Sequence, residues 1–96
     1  MSKGKVEENI EKIDFETFIY SLGTSALISL GAIANPLNQK MEINLNEARH
    51  NIEVIELIQE KTTGNLSDKE QKVLSAILHE TRSKYIEVVK KEAIKV

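Results

Sequence analysis

Glu47 and His50 are the pair in this chain whose spacing comes closest to a working site. Residues three apart share a helix face, so Glu-x-x-His can offer a carboxylate and an imidazole to a di-iron centre, and a homodimer would supply two such pairs. That chemistry also needs inward carboxylates from neighbouring helices. Glu80 and Glu87 lie only on the flank of their helix, and the interior of the first helix holds no glutamate. The pair is therefore read as an N-terminal cap glutamate beside a histidine at the margin of the apolar face. Gly23-x-Ser25 starts like a nucleophile elbow but lacks the second glycine, the preceding strand and a positioned base, so packing is its expected role. His79 projects opposite its helix's apolar arc, where solvent or a second subunit would meet it. No phosphate-cradling glycine loop and no placeable Ser-His-Asp set is present. The expectation is no catalytic residue, no metal site and no cofactor, with the roles of His50 and His79 left open.

The other chemistry is charge. Glu53, Glu56 and Glu60 form a stripe on the second helix that only Arg49, near Glu53, relieves. On the third helix Glu80 is spaced to pair with Lys84 and Glu87 with Lys91, while Lys90, Lys91 and Lys95 suit the negative end of the helix dipole. Arg82 differs, because His79, Leu78, Tyr85 and Ile86 occupy the positions three and four away and none is a carboxylate. Arg82 is thus expected to clamp across helices through a bidentate guanidinium bond. With 13 basic and 15 acidic side chains, the net charge of -2 gives no global field for nucleic acid, and no nucleic-acid partner is expected.

These residues need elements to position them, and 96 residues allow one domain with one modest core. Few aromatics, one Pro and an excess of Glu, Lys, Ile, Leu and Ala favour helix over sheet. The absence of Cys excludes disulfides and thiolate sites and fits a reducing compartment. Residues 1–13 read as a flexible charged tail without the features of a signal peptide, and residues 14–96 as a single helical domain. Asp14 caps a first helix over about 15–33, closed by Asn35-Pro36. Ala34 to Ile43 is a connector. Asn44 with Glu47 gives a capping-box pattern for a second helix over 45–61, and Ser67 with Glu70 gives another for a third over 68–92. Gly64 suits the left-handed position that ends helix two.

Helical phase places Leu45, Ala48, Ile52, Ile55 and Ile58 on one arc of helix two, and Leu74, Ile77, Leu78, Thr81, Tyr85, Val88 and Val89 on one arc of helix three. A short loop joins them, so an antiparallel hairpin is expected. Beyond Glu16 in its first turn, helix one carries no charged side chain, and none occurs from Thr17 to Gln39. Phe15, Phe18, Ile19, Leu22, Ala26, Leu30 and Ile33 are assigned to its inner face. Tyr20, Ser21, Thr24, Ser25, Leu27, Ile28 and Gly31 are assigned to an outer face that meets another copy, since so large an uncharged patch is unusual on a monomer. A membrane-associated use of helix one is the alternative, although its hydroxyls and the lack of flanking basic clusters argue against a span.

Several segments also carry a resemblance. Phe15-x-x-Phe18-Ile19-x-Ser21-Leu22, Ser25-Ala26-Leu27-x-x-Leu30-Gly31, Asn44-Leu45-x-x-Ala48-Arg49, Glu60-Lys61-Thr62-x-Gly64-Asn65-Leu66-Ser67-x-x-Glu70 and Leu78-His79-Glu80-x-Arg82-x-x-Tyr85 resemble the bacterial domain-of-unknown-function 1844 family, in order, from about Phe15 to Tyr85. The connector departs from the pattern, with Leu37-Asn38-Gln39 where a Thr-Gly turn often follows Asn-Pro. The resemblance implies a small bacterial, cytoplasmic protein and supplies no activity and no catalytic residues. The combined expectation is an all-α oligomeric bundle acting as a non-catalytic interaction or scaffold module, whose partner is itself and a further protein. A metal-dependent enzyme or enzyme subunit is the least supported alternative.

Overall fold

Each helix starts where a side chain accepts a backbone N–H that the first turn leaves free. Asp14 Oδ1 accepts from Thr17 N at 2.8 Å, and Asn44 Oδ1 accepts from Glu47 N at 3.0 Å. Ser67 and Glu70 form the full reciprocal box, with Glu70 N donating to Ser67 Oγ at 3.1 Å and Ser67 N to Glu70 Oε1 at 2.9 Å. The computed structural model describes residues 12–95, the last of them by its backbone alone, and holds three helices: α1 (Phe15–Ser29), α2 (Leu45–Lys61) and α3 (Asp68–Lys95). Most of the expected charged tail, residues 1–11, lies outside the described residues, as does the Lys95 side chain.

Helix α1 ends at Ser29, four residues before the expected Ile33. Gly31, at φ +74°, is the reason. Its N–H donates to the Ile28 carbonyl and the Ala32 N–H reaches back to Leu27, the two bonds of a Schellman motif that turns the chain out of the helix. Leu30 then forms an isolated bridge with Ile43, and Asn44 N donates to the Ser29 carbonyl at 2.8 Å. Helix α3 runs past the expected residue 92 to Lys95, because no Gly or Pro follows Gly64 to stop it.

All three pairs of helices pack against one another. Ile19, Ala26, Ile52, Ile55, Leu74 and Leu78 form one buried cluster, and Leu30, Ala48 and Val88 form a second, with Tyr85 against both. Full burial of one such aliphatic side chain contributes about 1.5–3 kcal/mol. The buried line of α1 is Ile19, Gly23, Ala26 and Ser29; Ile19, Ala26 and Leu30 lie inward as expected, with Phe15 and Leu22 packed against the core. Phe18, assigned to the inner side, is 39% exposed, and Ile33 is exposed as well. Gly23 joins that line because of how closely the helices meet there. A Cβ there would lie 2.7 Å from Ile77 Cγ2, so the missing side chain lets α3 approach α1 along that line.

The connector is held by its own hydrogen bonds. Asn35 N donates to the Lys40 carbonyl at 2.8 Å, Asn35 Oδ1 accepts from Leu37 N at 2.9 Å, and Asn38 Oδ1 accepts from Lys40 N at 3.0 Å. Gln39 sits at φ 62°, in the left-handed region, to close this turn.

Candidate functional site

The outer side of α1 is the surface that sequence singled out. Tyr20, 53% exposed, stands there with exposed Ser21, Thr24 and Ser25, and Phe18 forms one edge. The Ser21 hydroxyl donates to the Phe18 carbonyl at 2.7 Å, so it needs no partner beyond the chain. Ile28 is half-buried beside Asn35 and Glu42 of the connector. Two expected members turn inward. Leu27 packs on the Leu30–Ala48–Val88 cluster, and Gly31 lies so close to Ile43 that a Cβ would meet its Cγ1 at 2.8 Å. Both serve the end of α1, Gly31 as its left-handed residue and Leu27 as the carbonyl that the Ala32 N–H reaches.

A polar seam joins α1 to α2. The Ser29 hydroxyl is buried, lies 3.0 Å from both the Ser25 carbonyl and Glu47 Oε1, and accepts from Asn51 Nδ2 at 3.1 Å. Glu47 therefore leaves its expected capping box half made. Its carboxylate turns to Ser29 because the Asn44 N–H already donates to the Ser29 carbonyl. His50 is exposed on the rim of a shallow depression shared with Ser25, Ile28, Ser29, Glu47 and Asn51. Among the described residues no three His, Asp or Glu side chains come together in a group able to hold a metal ion.

Between α2 and α3 runs a groove of about 280 Å³ lined by Ile52, Tyr85 and Ile86, with Arg49, Glu53, Glu56 and Arg82 along it. Arg82 donates from Nε at 3.0 Å and from Nη2 at 2.8 Å, both to Glu56 Oε2. The two donors converge on one carboxylate oxygen and leave the other free, unlike the two-on-two geometry of a fork. Arg49 approaches Glu53 at 3.8 Å one helical turn away. The acidic stripe on α2 thus has two of its three carboxylates faced by arginine, leaving Glu60.

Of the two pairs expected on α3, Glu87 with Lys91 forms and Glu80 with Lys84 does not. Lys84 reaches Glu87 at 3.4 Å instead of Glu80, and Lys91 reaches the same carboxylate oxygen at 3.3 Å. Glu87 lies within one turn of both lysines, so a single acceptor gathers two cations. Hydrogen bonds from Lys91 and then Lys84 hold its carboxyl below its ordinary range. Asp14 is also lowered, chiefly by the backbone N–H of Thr17 that it caps. His79 is exposed beside Leu27, Ile33, Glu80 and Ser83. At the start of α1, Glu16 Oε2 is buried without a hydrogen bond, and Lys69 Nζ approaches it at 3.8 Å, a Coulombic contact between α1 and α3.

Two features escaped sequence reasoning. The Ser29–Glu47–Asn51 seam had a partial signal, since Glu47 and Asn51 are four apart on α2, but their partner lies 18 and 22 residues away. Leu37 had none, since an apolar residue in a connector looks like any other. It is 92% exposed at the tip of the Asn35–Lys40 turn.

No helix among the described residues is long and apolar enough to cross a membrane. The 15 residues of α1 rise only about 22 Å, against about 30 Å for the apolar layer of a bilayer. No curated protein and no solved structure matches the chain significantly. A family described as Domain of unknown function (DUF1844) matches residues 12–87, which takes in α1, α2, the connector and most of α3. With that match covering more than half of its length, the chain belongs to the DUF1844 family.

Proposed function

We propose that this chain is a non-catalytic, self-associating interaction module of the cytoplasm, in which α2 and α3 form an antiparallel hairpin and the outer face of α1 meets a second copy. The observation that carries the reading is the α1 surface itself. Phe18, Tyr20, Ser21, Thr24 and Ser25 are exposed together, with no charged side chain from Thr17 to Gln39. Like faces without charge can meet across a two-fold axis with no repulsion to offset. The hairpin is supported by the short Thr62–Ser67 link, by Ile55 and Leu74 in one cluster, and by the Arg82–Glu56 pair. The acidic stripe on α2 is a weaker docking surface for a further protein, since Arg49 and Arg82 already face two of its carboxylates.

Tyr20→Lys and Thr24→Glu test the reading, because both sites are exposed and on a helix, where either residue is tolerated. Light scattering after size exclusion should show each variant lighter than the unmodified protein, with the same helical circular dichroism. A mass unchanged by both substitutions would rule out α1 as the contact surface.

A further inference from the structure

We draw no further inference here: the strongest candidate, the apolar groove between α2 and α3 floored by Ile52, Tyr85 and Ile86, is an unpartnered surface, and nothing in the structure shows what covers it.

Discussion

Replacing Gly31 with alanine tests the account of where α1 ends. Gly31 sits at φ +74°, where an L-residue costs about 1–2 kcal/mol relative to glycine. The new Cβ would lie 2.8 Å from Ile43 Cγ1, so Ile43 must also move. Ile43 is exposed and can turn outward, at a cost of about 0.5–1 kcal/mol for leaving its rotamer. The sum is a loss of about 2 kcal/mol, or roughly 8–16 °C in Tm for a domain of this size. Gly64→Ala supplies the comparison. It has φ +84° but nothing within 4 Å of the added Cβ, so it should lose only the backbone part, about 1–2 kcal/mol. Thermal and urea unfolding at fixed protein concentration, followed by circular dichroism at 222 nm, reads both variants. The reasoning fails if Gly31→Ala matches the unmodified protein within about 0.5 kcal/mol, or gains ellipticity because α1 now continues through Ile33.

The core, the cross-helix ion pair and the caps give further expectations. Ile55→Ala empties a fully buried position between the helices and should lower stability by about 2–5 kcal/mol in urea unfolding. A double-mutant cycle on Arg82 and Glu56 should return a coupling below about 1 kcal/mol, because the two side chains are 51% and 39% exposed and solvent screens them. The lowered carboxyls of Asp14 and Glu87 fix the sign of a pH effect. Their stabilisation is present above the ordinary values of 3.8 and 4.5 and is lost as pH falls through the lower folded-state values. The urea midpoint should therefore fall on acidification below about pH 4.5, and the combined Asp14→Asn and Glu87→Gln variant should show a shallower fall.

Three helices were readable from sequence because their starting signals are local. Asp14, Asn44 and the Ser67–Glu70 pair each act on a backbone N–H three residues away, a distance that sequence spacing specifies. What was not readable depends on partners far along the chain. Gly31 ends α1 in company with Ile43, twelve residues on, and a reader counting apolar residues passes over it. One edge of the buried face of α1 was misplaced for a related reason, while Ile19, Ala26 and Leu30 lie inward as read. Hydropathy gives weight to Phe18 and none to Gly23, yet the absence of a side chain at Gly23 is what admits Ile77. Glu47 shows local logic losing to a distant group. The pattern assigns its carboxylate to the Asn44 N–H, which the Ser29 carbonyl has already taken. On the outer face of α1, the exposed Tyr20, Ser21, Thr24 and Ser25 could be placed by helical phase alone, whereas Leu27 packs on the Leu30–Ala48–Val88 cluster and Gly31 closes the helix.

Self-association is the claim on which the functional reading depends, and sedimentation equilibrium of the unmodified chain tests it most directly. From low micromolar to millimolar concentration, the account requires a mass that rises from the single-chain 10.8 kDa toward a whole multiple of it. A mass that stays at 10.8 kDa across that range would contradict it.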